Sequence, residues 1–179
     1  TFHCWKEKGH GWVSLKNAMK QSCDTYFYEV ARLLGVDRLK ITAENFGLGK
    51  KVLGDYFDNE KKGLFPNTKW KKNNLGRGWV LGETLITGIG QGYIQSTPLQ
   101  LCIMTAQIAN GGYAIKPKII VDNTPQTLEE VKNLMQQEIL DGPGKKLFKN
   151  EKNIKIIQEA MFSSTNERFG TSYKSRIED

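Results

Sequence analysis

Cys4, His10 and Cys23 are of types that can hold a soft cation. Two thiolates and an imidazole are three good ligands for zinc, which normally takes four. Their spacing, C-x5-H-x12-C, is not that of a zinc finger, and two other arrangements stay open: a disulfide between Cys4 and Cys23, or three side chains with packing roles only. Around the third of them runs Ser22-Cys23-Asp24, a hydroxyl and a carboxylate two residues apart. At a break between two helices such a pair can point into one cleft from the end of a helix. The same triplet is also an ordinary helix cap. Other chemistry is missing from the sequence: there is no G-x-S-x-G, H-E-x-x-H, phosphate-binding Walker loop or C-x-x-C. With two histidines in the chain, a Ser-His-Asp triad would have to use His3 or His10, and nothing favours that.

The pattern around these residues predicts the elements that position them. Ser14 is suited to cap a helix with Leu15, Ala18 and Met19 on one face. A second helix places Phe27, Val30, Ala31 and Leu34 at i, i+3, i+4 and i+7, with Gly35 as its stop and Asp24 as its expected cap. A third is expected over 36–46, where Leu39, Ala43 and Phe46 recur. Residues 47–92 read as loop with short irregular pieces, and the lysines at 50, 51, 61, 62, 69, 71 and 72 as a solvated face. Gly88-Ile89-Gly90-Gln91-Gly92-Tyr93 has the wrong spacing for a dinucleotide fingerprint and predicts a tight turn with close backbone approach. Ser96-Thr97-Pro98 opens a helix to about Ala109, in which Cys102 is expected to be buried. A short strand over 113–121 with Pro117 at an edge, an amphipathic helix (Leu128, Val131, Leu134, Met135) with a Gly-Pro-Gly turn, and a last helix over 150–162 complete the expectation.

With 179 residues, 39% hydrophobic and 10% aromatic, the chain is long enough for one domain with a core, and its aromatic content argues against disorder. The formal charge of +7 permits an anionic partner without selecting one. A basic zinc module for nucleic acid would predict salt-dependent binding. However, the lysine-rich stretch has only Trp70 and Arg77 to stack bases, so no nucleic-acid partner is expected. No apolar run approaches the roughly 20 residues of a membrane span. Neither end looks like a natural terminus, which suggests a fragment of a longer protein.

In order along the chain, Cys4-Trp5-Lys6-Glu7-Lys8-Gly9-His10-Gly11, Ser22-Cys23-Asp24-Thr25-Tyr26-Phe27-Tyr28-Glu29-Val30-Ala31, Gly88 to Tyr93, and Thr97-Pro98-Leu99-Gln100 resemble the transpeptidase domain of class B penicillin-binding proteins. The resemblance is closest to the penicillin-binding protein 2 subfamily, extends over essentially the whole chain, and is consistent with Trp70 and Gly170-Thr171. It implies an α+β, penicillin-binding transpeptidase or serine β-lactamase-like fold, a five-stranded antiparallel sheet covered by helices. Residues 1–179 would be the central part of that single domain and mostly its helical lobe. The implied activity is a peptidoglycan D,D-transpeptidase of cell-wall elongation that cross-links stem peptides through an acyl-serine which β-lactams trap, with no cofactor for catalysis. Ser22 and Asp24 match the family's S-x-D motif. Ser22 would bridge the lysines of the other two motifs and help carry a proton to the leaving amine; Asp24 would stabilise the cationic centre, with Cys23 pointing away from the cleft. The S-x-x-K and K-T-G or K-S-G motifs do not occur in these residues, so the fragment itself is expected to be inactive. Some members carry a zinc at positions matching Cys4, His10 and Cys23 with a further ligand upstream, which favours a structural zinc over the disulfide. The resemblance further implies a membrane anchor outside this chain, a catalytic domain in the periplasm at the inner membrane, and a glycosyltransferase of the SEDS family as partner. A non-catalytic scaffold of the same fold is the alternative.

Overall fold

The computed structural model describes residues 2–54, 58–117, 128, 129, 132 and 144–177. Seven α-helices lie among them: α1 (Leu15–Lys20), α2 (Asp24–Leu34), α3 (Val36–Asn45), α4 (Thr68–Leu75), α5 (Leu81–Gly88), α6 (Pro98–Ala109) and α7 (Glu151–Asn166). A short 3-10 turn, Tyr173–Ser175, follows. The helix-rich pattern is that of a helical lobe, and among the described residues no helix is long and apolar enough to cross a membrane.

Local signals set most boundaries. Ser14 accepts from the Asn17 amide to open α1, and Gly35 at φ 76° closes α2 and opens α3. Thr97 and Gln100 form a reciprocal capping box at the start of α6, with Pro98 in the first turn. The expected last helix extends further than the apolar pattern suggested, to Asn166.

Residues 47–92 are not simply loop. α4 forms because the Asn67 side chain accepts from the Trp70 amide and Gly76 closes the helix in the left-handed region. α5 forms because Glu83 reaches back to the Val80 amide. Nor are the lysines uniformly solvated: six of the seven are exposed, but Lys71 is buried and paired with Glu83. The glycine-rich segment does bring backbones together. A Cβ on Gly88 would stand 2.4 Å from the Ala31 methyl and 3.0 Å from the Phe27 carbonyl oxygen, which lets α5 lie directly against α2.

α6 is unusual in what it buries: Gln100, Ile103 and Gln107. Gln100 is fully enclosed and donates to the carbonyls of Lys50 (2.6 Å) and Lys62 (2.9 Å), while Gln107 donates to Phe46 O (3.1 Å) and accepts from the Ile115 amide (3.1 Å). These amides satisfy loop carbonyls that would otherwise be costly to bury. With that face turned inward, Cys102 lies on the other side and is exposed, contrary to the expected burial. The strand expected over 113–121 reduces, among the described residues, to one antiparallel bridge between Tyr113 and Lys146; residues 118–121 lie outside them. The expected amphipathic helix falls almost wholly outside the described residues, with Leu128 the one member inside.

α1 packs against α7, and an ion-pair clamp joins them. Glu167 accepts from Lys20 Nζ (2.7 Å) and Ser163 Oγ (2.8 Å), with Lys16 Nζ at 3.4 Å. Those donors pull the Glu167 carboxyl down to about 2 from an ordinary 4.5. Its folded value is depressed, so its contribution to stability is complete above the ordinary value and disappears as pH falls toward 2. Melting temperatures of the chain and of Glu167→Gln, followed from about pH 6 to about pH 2, should therefore converge on acidification. A constant gap would contradict the clamp.

Candidate active site and metal-ligand cluster

The link between α1 and α2 is a Schellman motif. The Ser22 amide donates to Met19 O (3.2 Å) and the Cys23 amide to Ala18 O (2.8 Å). The position between them normally holds glycine because its backbone is left-handed, yet here it is Ser22, at φ 51°. A side chain costs about 1–2 kcal/mol in that conformation, a strain that tends to be kept where a site needs the residue. The turn leaves Ser22 exposed at its apex and Cys23 buried behind it.

α2 starts at Asp24, with Cys23 in the capping position and no side-chain cap. Asp24 therefore does not cap the helix as expected. It sits in the first turn, where negative charge meets the positive end of the helix dipole, and its Oδ2 accepts from the Trp5 backbone amide at 2.8 Å. The Trp5 indole donates to Ser22 O (2.8 Å) and Gln21 O (3.2 Å). One residue thus holds both ends of the Ser22–Asp24 turn. Sequence reasoning missed it, since a contact between residues 5 and 22 leaves no local signature.

On the buried side, Cys4 Sγ, Cys23 Sγ and a ring nitrogen of His10 all lie within 4.8 Å of one another. His10 Nδ1 is 3.3 Å from Cys4 Sγ, and the ring meets the Trp5 indole edge to face at 5.6 Å. Burial, then the nearby Lys6 ammonium, lowers the His10 pKa against the opposing pull of Asp24, favouring the neutral imidazole. Both thiols are free. Cys4 and His10 are half-buried and Cys23 is buried, so the cluster backs the turn rather than sharing the surface with Ser22.

A second contact reaches the turn from the far end of the chain. Thr171 Oγ1 stands 3.0 Å from Ser22 Oγ and 3.3 Å from Ser164 Oγ, and the Thr171 amide donates to Lys20 O at 3.1 Å.

The penicillin binding protein transpeptidase domain matches this chain over residues 1–172. The chain belongs to that family. Among relatives, the peptidoglycan D,D-transpeptidase MrdA of Acinetobacter baumannii is 41% identical over 119 residues, 66% of this chain and 18% of that protein. MrdA of Salmonella typhimurium is 31% identical over 170 residues, 95% of this chain and 26% of that protein. The crystal structure of Pseudomonas aeruginosa PBP2 superposes with a TM-score of 0.79 at 37% identity, covering 97% of this chain and 37% of that one. The penicillin-binding transpeptidase fold follows from that likeness, and the helices described above are part of its helical lobe. The chain spans between about a fifth and about a quarter of those curated relatives' lengths.

Proposed function

We propose that the chain is the central part of one transpeptidase domain, and that the protein it belongs to is a peptidoglycan D,D-transpeptidase of cell-wall elongation. The observation that carries this is Ser22: a strained, exposed hydroxyl held at the apex of a turn by Trp5 and Thr171, where a glycine would have been easier to accommodate. Ser22 relays a proton between the groups that flank it and the leaving amine; Asp24, with Oδ2 engaged by Trp5, fixes the turn and places negative charge beside the cleft. The nucleophilic serine is on a segment other than these residues. Stem peptides are the substrate, β-lactams the inhibitors, and the periplasmic face of the inner membrane the location. A SEDS-family glycosyltransferase is the proposed partner. A PBP2 of Helicobacter pylori, 30% identical to this chain, has been solved in complex with MreC, which makes an MreC-like protein a second candidate. Fluorescent-penicillin labelling of the whole protein, competed by unlabelled penicillin, tests the reading; a protein that neither labels nor turns over peptide would be a scaffold instead.

Cys4, His10 and Cys23 are the proposed holders of a structural zinc. Ligands at 2.0–2.3 Å in a tetrahedral array stand about 3.3–3.8 Å apart, and the observed cluster needs only small shifts to reach that. When bound, the ion would cross-link the segment around Cys4 and His10 to the residue next to Ser22. One zinc per protein is expected by metal analysis, with chelation or Cys23→Ser lowering the melting temperature by roughly 5 °C or more. Absence of zinc together with a Cys4–Cys23 bridge in the peptide map would replace this reading by the disulfide.

A further inference from the structure

The segment from Glu167 to Thr171 is built more tightly than a helix exit requires. Phe169 adopts a left-handed φ of 69° although it is not glycine. Gly170 has no room for any side chain: a Cβ there would stand 2.1 Å from Ser164 O and 2.8 Å from Ser163 O. Glu167 ties the start of the segment to Lys16 and Lys20 on α1, and the Thr171 amide ties its end to Lys20 O. All of this delivers one group, the Thr171 hydroxyl, to Ser22 Oγ, 149 positions away in sequence.

We propose that Thr171 is a positioning residue for Ser22, setting the rotamer and proton direction of the Ser22 hydroxyl. The inference rests on the transpeptidase reading above. Each hydroxyl has one proton and can accept from others. Thr171 Oγ1 is within reach of three oxygens: Ser22 Oγ at 3.0 Å, Ser164 Oγ at 3.3 Å and Lys20 O at 3.5 Å. A hydroxyl between Ser22 and Ser164 can donate to Ser22 while accepting from Ser164, or run the chain in the opposite sense. Reversal of that short chain lets Ser22 keep a hydrogen-bond partner whether it is giving or receiving a proton on its cleft side. An unsupported serine on an exposed left-handed turn would sample all three of its rotamers. The backbone bond from Thr171 to Lys20 docks the segment independently of the hydroxyl, so the side chain's contribution is separable from the fold's.

The test uses the whole protein and the rate of fluorescent-penicillin acylation, with Thr171→Val, Thr171→Ser, Ser22→Ala and the double variant Ser22→Ala/Thr171→Val. Thr171→Val is expected to slow acylation roughly 5- to 10-fold, the effect of one lost hydrogen bond at a reacting group, with the melting temperature little changed. Thr171→Ser should restore the rate to within about twofold, since it returns the hydroxyl. In the Ser22→Ala background the valine should cost nothing further, because Thr171 acts through Ser22. Additive losses, or no rescue by serine, overturn the proposal while leaving the transpeptidase reading intact. A Ser22→Ala protein that acylates like its parent overturns the proposal and the role given to Ser22, whereas only a parent that neither labels nor turns over peptide overturns the transpeptidase reading. Should Thr171→Val fold poorly, Thr171→Ala carries the same comparison in both backgrounds.

Discussion

Replacing Ser22 by Ala or by Gly in the whole protein is expected to lower penicillin acylation and peptide cross-linking about 10²- to 10⁴-fold, the usual contribution of a positioned proton-transfer group. The two variants should differ in stability. Both lose the contact with Thr171, but only Gly relieves the left-handed strain at φ 51°. Relief of about 1–2 kcal/mol, less the 0.5–1 kcal/mol that glycine's extra freedom costs, leaves the Gly variant more stable than the Ala variant by about 1 kcal/mol. Two proteins equally inactive and unequally stable would separate the hydroxyl's role in chemistry from the residue's role in the turn. The opposite pattern, a glycine variant that is both stable and active, would make Ser22 a helix-exit residue and nothing more. Thermal melts and labelling time courses on the same preparations provide both numbers.

What was legible in the sequence follows the range of the interactions involved. Caps and stops act within four residues, and Ser14, Gly35, Thr97 and Pro98 mark their boundaries in the chain as they do in the fold. Cys4, His10 and Cys23, read as possible ligands from residue type alone, lie together in the fold, with Cys23 buried behind Ser22. α4 and α5 were hidden because their support is tertiary: α4 is polar on most sides, and its buried residue is a lysine paired with Glu83 on the next helix. Cys102 was misplaced because α6 is apolar nearly all round, so its inward face could not be chosen by periodicity; two glutamines that meet loop carbonyls choose it instead. Trp5 and Thr171 could not be given roles, since each acts on the Ser22 turn from a distant part of the chain.

Lys71→Met should be the most damaging single change away from the Ser22 turn, at about 3–5 kcal/mol, a large share of the roughly 5–15 kcal/mol that holds a domain folded. Only 7% of the Lys71 side chain and 15% of the Glu83 side chain are exposed. Burial alone would push the Glu83 carboxyl up, but the Lys71 ammonium and the Val80 amide (3.0 Å) outweigh it and hold the group below the usual carboxylate range. Without Lys71 that largely covered carboxylate keeps the Val80 amide and the Tyr93 hydroxyl but has no cation beside it, which is where the cost arises. The pair also sits among aromatic rings, with Trp79 6.0 Å from Lys71 Nζ and Tyr93 5.3 Å from Trp70, so its loss disturbs the turn that follows α5. α5 in turn lies on α2 through Gly88 and Ala31, which connects this buried pair to the helix that starts beside Ser22. The sign with pH is definite. In the parent, the depressed Glu83 value contributes stability above the ordinary carboxylate range that fades as pH falls through its folded value. In Lys71→Met the carboxyl takes up its proton at higher pH, so the deficit against the parent should be greatest near neutrality and shrink on acidification. Adding Glu83→Gln to Lys71→Met should recover much of the loss, because the uncompensated charge is gone. Denaturant melts of the parent, both singles and the double at two pH values measure every term. A Lys71→Met penalty below about 1 kcal/mol, or one unchanged by pH, would mean the pair is screened like a surface contact and adds little to holding α4 on α5.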